Sequence, residues 1–399
     1  MRVDAEEART IGRRVRQIRN ARQKSQRVVA ERAGISKSYL CRLEKGQRAL
    51  NQRSLIVALA GALEIAPSEL TKLPVSPSAD GDTDTAIKGV RRALIAVSHD
   101  LPGGQYVPVE TLRARVDALV TAQRLNKLDQ VGRDLPDLVR DLHTTIAAGR
   151  DVAELLVLAV LLHVQGSHAF LHDVGAPADL RGHAAMLGRQ AAWEHGEPDM
   201  LGMAAFGSAN GLLATGEFDL AQAVLDSVTV PTTTGQAEQL EGMLALSRSL
   251  VAAADRRSGD VGAPLEHAAA LAARTGEGNA YGLGFGPTNV GVWRMTVALE
   301  CGDHAQAATV AEGVRPELLP SVARQAAYWG DYGRVLARLR GRREDAVWAL
   351  RRAEDLFPAR VHRHPFTRDT VAELVARAPR DSPAGRELRK MAYRAGLPV

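Results

Sequence analysis

Two cysteines, Cys41 and Cys301, are all that the 399 residues contain. That excludes a disulfide framework and makes a reducing interior the expected compartment, the cytoplasm. Aromatic residues are scarce at 4%. With Ala and Leu abundant, an all-helical protein with closely packed helices is expected. No uninterrupted apolar run reaches the ~18 residues of a membrane helix. The longest, Leu155 to Val164, is broken by His163 and closed by Gln165. The N-terminus opens on charged residues rather than a basic stub and an apolar stretch, so no secretory signal is expected.

Catalytic signatures are missing as well. There is no G-x-S-x-G, H-E-x-x-H or P-loop, so neither an enzyme nor a cofactor is expected. Gly282-x-Gly284-x-Gly286 lacks the spacing and the preceding strand of a dinucleotide fingerprint. His168 and His172, with Asp173, have i,i+4 spacing but no third ligand nearby in sequence, and His362-Arg-His364 before Pro365 reads as a solvated inter-helix segment. No metal is expected.

What the chain does have is a charge asymmetry. The net charge is +5, but Met1–Leu73 alone carries 16 Lys+Arg against 7 Asp+Glu, a net of +9. The remaining 326 residues have a net of −4. A basic head on a mildly acidic body suits nucleic-acid binding at one end.

The length suggests two or three domains. The head is expected over 1–73. Residues 74–85, rich in Pro, Ser, Asp and Gly, read as a linker unable to hold a helix. A helix is expected over about 86–99, and another starts near Val109 after Leu101-Pro-Gly-Gly-Gln-Tyr-Val-Pro108. The rest of 86–399 alternates helix and turn in units of roughly 35–45 residues. Three stretches share one layout: Asn210 to Leu225 around Gly216, Val297 to Ala311 around Gly302, and Arg338 to Leu350 around Gly341. In each, a helix ends on glycine and a second helix opens on small residues. This layout resembles degenerate tetratricopeptide repeats, which implies an α-solenoid.

The sharpest signal lies between Ile11 and Leu70. Ile11, Val15 and Ile18 line one face of a first helix whose other faces carry arginine. Ser25 is placed to cap a second helix, Gly34 to turn the chain, and Ser36 to cap a third. In that third helix Leu40 and Leu43 point inward, while Lys37, Ser38, Cys41 and Arg42 point out. Gln52 to Leu63 supplies a fourth helix and Pro67-Ser-Glu-Leu70 a short fifth. The Ser-Gln opening, the Ala-Gly-Ile-Ser turn and the Leu-Glu-Lys-Gly ending resemble the lambda-repressor-like, or Xre-family, helix-turn-helix domain over about 60 residues.

The resemblance implies a five-helix domain that places its third helix in the major groove of double-stranded DNA and binds as a dimer. Lys37, Ser38 and Arg42 match the base-reading positions, where Arg42 can make a bidentate contact to guanine. Gln26, at the start of helix two, can grip a phosphate with the free N–H groups there. Ser36 and Tyr39 flank the reading positions, and Tyr39 has a hydroxyl for a phosphate. Lys45, Arg48 and Arg53 are expected to track the backbone. Arg19 and Glu44 match an internal ion pair that locks helix one to helix three.

A helical half of this size is not needed to grip an operator. It is expected to sense a small-molecule or peptide effector and to hold a homodimer on a palindromic site. The string Phe285-Gly-Pro-Thr-Asn-Val also looks like one found in an actinobacterial class of regulator. Phe285, Thr288, Asn289 and Trp293 are therefore candidate effector contacts, with a helix starting at Pro287 whose free N–H groups suit an anion. Asn210, Arg248, Arg324 and Tyr328 join them from comparable first-helix positions. The alternative is a solenoid that recruits another protein and has no small-molecule pocket.

Overall fold

The computed structural model describes residues 10–71, 81–379 and 381–397, and is all-helical over them. The head has five helices: α1 (Ile11–Ala21), α2 (Gln26–Arg32), α3 (Lys37–Glu44), α4 (Arg53–Leu63) and α5 (Pro67–Thr71). Thr10, Ser25 and Ser36 sit in extended backbone before α1, α2 and α3, and each hydroxyl accepts an N–H from the first turn. Periodic Ile11, Val15, Val29, Leu40, Leu43, Leu50, Leu59, Leu63 and Leu70 close a core drawn almost wholly from the head, with Phe366 as its one distant member.

Next come α6 (Gly81–Ser98), α7 (Val109–Arg124), α8 (Leu128–Ala147) and α9 (Val152–Leu161). Much of the expected linker, 72–80, lies outside the described residues, but 81–85 are helical, so α6 begins before the expected residue 86. A π-helical segment, Leu162–His168, joins α9 to α10 (Ala169–Asp173) without a break. The resulting 22-residue helix, Val152–Asp173, meets the length and composition of a membrane span, because the polar residues within it dilute its hydropathy only to 1.5. Yet 72% of its most apolar 18-residue window is buried inside the fold. Its neighbours include α7, α8 and α11 (Ala178–His195).

Helices then stack in chain order: α12 (Pro198–Thr215), α13 (Phe218–Asp226), α14 (Gly235–Ala254) and α15 (Gly262–Thr275), each packing on the one before, as in an α-solenoid. Further on lie α16 (Pro287–Cys301), α17 (His304–Glu312), α18 (Val322–Leu336), α19 (Arg343–Leu356), α20 (Pro358–His362), α21 (Pro365–Arg377) and α22 (Pro383–Arg394). Gly216 and Gly302 end their helices at φ +85° and +83°, the left-handed conformation that the shared turn layout anticipates.

By its contacts the chain divides into two compact units. One unit holds residues 1–77, 295–313 and 325–399, so the head forms a body with the C-terminal helices; the other holds 78–294 and 314–324. The residues that join the head to α18 and α21 are about 300 positions away in sequence, so composition along the chain carries no sign of this association.

In the second unit α14 packs tightly against the segment before α16. A Cβ on Gly242 would stand 2.1 Å from the ring of Phe285, which is fully buried. Gly242→Ala should therefore destabilise the protein by about 1–3 kcal/mol through overpacking, read as a lower midpoint in denaturant unfolding.

Buried histidines mark the same unit. His143 and His163 face each other Nε2 to Nε2 at 2.8 Å, and His168 meets the Arg181 carbonyl at 3.2 Å through Nδ1. His172 Nδ1 also meets the Arg181 guanidinium, and Gln123 donates to Asp173, so this i,i+4 pair is engaged with protein groups. Burial pushes His143 and His168 down to about 4, and His163 well below its ordinary value. The unfolded chain therefore binds more protons below about pH 6.5. Stability present above that pH should be lost as pH falls toward 4. The thermal midpoint should drop across this window, and less steeply in a His168→Gln variant; equal slopes would refute the assignment.

Candidate nucleic-acid interface

α3 is built to present one face. Leu40 and Leu43 are fully buried, and between them the helix turns Lys37, Ser38 and Arg42 outward, all exposed, with Lys45 exposed just beyond. Ser36 fixes the start of the helix through a 3.1 Å bond from the Tyr39 N–H. Cys41 is partly buried, and Cys301 of α16 is exposed.

The orientation of α3 is set by a fork. Arg19 of α1 donates to Glu44 through Nε at 2.6 Å and Nη2 at 2.9 Å, and its third donor reaches the Lys24 carbonyl at 2.9 Å. Bonding to Glu44 raises the Arg19 pKa further, keeping the guanidinium charged. Gln26 also donates to Glu44, at 2.8 Å. Its amide, expected on a phosphate, also links α2 to the end of α3 in this way. Three helices thus meet on one carboxylate that is 3% exposed.

The expected backbone-tracking residues are divided. Lys45 is free to solvent, whereas Arg48 lies over the Tyr39 ring at 5.6 Å, and both are half-buried. Arg53 is engaged by the chain itself. Its guanidinium pairs with Glu300 at 2.6 Å, its backbone N–H also donates to Glu300, and it lies 5.9 Å from the Phe366 ring. Nothing local to Arg53 signals a partner 247 positions away.

Elsewhere the head is gripped through its backbone. The Asp369 carboxylate on α21 accepts the Ile11 N–H at 2.9 Å and the Leu50 N–H at 3.5 Å, while Glu373 accepts the Ala49 N–H at 2.8 Å. From α18, Arg334 donates to the Asn51 carbonyl and Arg338 to the Ala49 carbonyl, each at 2.9 Å. Arg338 also pairs with Glu373 at 2.6 Å. Burial pushes the Asp369 carboxyl up to about 7, against the pull of the two N–H groups. Sequence reading missed all of these residues, since each belongs to a helix with unremarkable local composition.

The expected effector contacts are placed in two ways. Asn289, Trp293 and Arg324 come together: Arg324 donates to Asn289 Oδ1 at 2.7 Å and lies 5.6 Å over the Trp293 ring. Asn289 also donates to Met243 Sδ at 3.5 Å, and Phe285 is sunk into α14 nearby in sequence to these contacts. The remainder are engaged elsewhere. Thr288 is half-buried, and its N–H is taken by Glu277 at 2.8 Å, so the start of α16 already holds an anion from the chain itself. Asn210 bonds back to the Phe206 carbonyl within α12, and Arg248 pairs with Glu241 and the Leu225 carbonyl. Tyr328 is buried and donates to the Ala311 carbonyl at 2.9 Å. His362, expected in solvent, meets Glu354 at 2.7 Å.

Residues 10–73 match the family model of a helix-turn-helix domain. That span coincides with the five helices of the head. Among solved structures, the chain is similar to the crystal structure of Bacillus thuringiensis PlcR in complex with the peptide PapR7 and DNA. The identity is 14%, with 66% of this chain and 94% of that one covered, at a TM-score of 0.30. Among curated proteins none matches.

The fork makes the helix-turn-helix domain dependent on Glu44. Glu44→Ala leaves Arg19 buried without its partner and frees Gln26, and should cost about 3 kcal/mol or more. Chemical denaturation reads the loss; a change below a quarter of that size would mean the fork is not what orients α3.

Proposed function

We propose that the protein is a sequence-specific DNA-binding transcription regulator that acts in the cytoplasm as a homodimer. The observation that carries this reading is the exposed face of α3, where Lys37, Ser38 and Arg42 project from a helix fixed at its start by Ser36 and at its end by the Arg19–Glu44 fork. Such a face presents hydrogen-bond donors in the geometry of major-groove readout, while Lys45 stands at its edge to meet a phosphate. Two copies would space their recognition helices about one turn, ~34 Å, apart on a palindromic operator.

In this reading the helical part responds to a small-molecule or peptide effector and performs no chemistry. The effector acts by binding one arrangement of the dimer more tightly than another. Asn289, Trp293 and Arg324 are the expected contacts that remain together, and the Trp293 indole N–H is buried without a hydrogen-bond partner. A second reading, a protein-recruiting surface, is favoured by an open hollow of about 350 Å³ lined by Trp329, Trp348, Arg351, Arg352 and Asp355. Its Trp348 is 59% exposed.

Operator selection from a random duplex pool tests the first reading. Arg42→Ala should relax preference at one base position, by about 1–3 kcal/mol, while Lys45→Ala should weaken all sequences alike and flatten the salt dependence by about one unit. Uniform loss on every sequence for Arg42→Ala would reduce that residue to a phosphate contact.

A further inference from the structure

Three carboxylates from outside the helix-turn-helix domain converge on its backbone N–H groups. Asp369 takes the start of α1 and Leu50 of the loop after the recognition helix; Glu373 takes Ala49 of the same loop. Glu300, near the end of α16, takes the start of α4, with one oxygen on the Arg53 N–H and the other 2.6 Å from the Arg53 guanidinium. Its side chain is 2% exposed, and the Gln52 amide donates to its carbonyl at 3.0 Å. A helix start with a guanidinium beside it is a site for an anionic oxygen pair, and DNA offers such pairs as phosphodiesters. The loop and α4 start follow directly on the recognition helix, as phosphate-gripping groups must if they are to reach the duplex that α3 reads.

We propose that Glu300 is an internal stand-in for a DNA phosphate: while it holds Arg53 and the start of α4, the helix-turn-helix domain is in its weak-binding arrangement, and release of Glu300 frees a further backbone contact for the duplex. The proposal rests on the DNA-binding reading above. Two features make the contact releasable. The domain has a core of its own, to which, among the described residues, Phe366 alone is added from outside. The grip upon it is largely polar, made of charged groups on backbone N–H and C=O, with Arg334 and Arg338 on the Asn51 and Ala49 carbonyls. Phosphate and water compete for such groups far better than they compete for apolar packing.

The discriminating variant is Glu300→Gln in the full chain, which keeps an acceptor for the Arg53 N–H but removes the charge. Phosphate contacts are indifferent to sequence, so a random-sequence DNA duplex titrated across a range of salt concentrations is the probe. Glu300→Gln should bind about fivefold tighter at low salt, with a log–log salt slope steeper by about one. Adding Arg53→Ala to Glu300→Gln should cancel both gains, since the freed guanidinium is the group that meets the phosphate. Unchanged or weaker binding by a folded Glu300→Gln protein overturns the proposal. So does a loss of affinity in Arg53→Ala alone, which would place Arg53 on DNA already and which stands whether or not Glu300→Gln folds. Failure of wild type and variant alike to retain any duplex overturns the DNA-binding reading, and the latch with it.

Discussion

Backbone N–H groups at the starts of helices need acceptors, and this protein supplies carboxylates from far along the chain. Asp369 does so for α1, Glu300 for α4 and Glu277 for α16. The first two decide where the helix-turn-helix domain sits within its unit. Each is a local match of a fixed partial positive charge with a carboxylate oxygen, and each constrains both position and direction. Glu373 and the arginines of α18 extend the same logic to the loop between α3 and α4, so the segment that follows the recognition helix is held at Ala49, Leu50, Asn51 and Arg53.

The parts legible in the sequence are those whose physics is local. Ser25 and Ser36 announce helix starts because a cap acts over three residues, and both hydroxyls accept the N–H expected of them. Leu40 and Leu43 declare the inner face of α3 by spacing alone. The turns at Gly216 and Gly302 are likewise written in adjacent residues. The Arg19–Glu44 pairing was reachable only through family resemblance, since 25 positions separate the two. What had no signal is the long-range grip: an acidic residue near a helix end, such as Glu300, looks like any solvated one until its partner is in place. For the same reason Arg53 and Tyr328 looked available, while both are turned toward neighbours distant in sequence.

The buried cations of this grip, Arg334 and Arg338, are both arginine. A guanidinium offers several donors in one plane, so Arg338 reaches Glu373 and the Ala49 carbonyl at once, and Arg334 reaches Asp331 and the Asn51 carbonyl. A lysine could hold one such partner firmly, but its ammonium would not span both in a fixed direction. The preference for arginine over lysine, visible in composition, thus has a structural use in this unit whatever its genomic origin.

The π-helical stretch from Leu162 to His168 brings a constraint of another kind. A π turn accommodates one residue more than an α turn, so the chain on either side is out of phase with a single continuous α-helix. Removing one residue there would restore ordinary winding and leave the turns on either side facing as they do now, with Phe170 and Leu171 still in the core. Forcing the stretch into α winding with all its residues would instead rotate everything that follows, up to Asp173, by about 100° relative to α9, and would take His168 from the Arg181 carbonyl. The extra residue is thus absorbed where it lies, so a single-residue deletion should be tolerated better in this stretch than in the α-helical turns beside it.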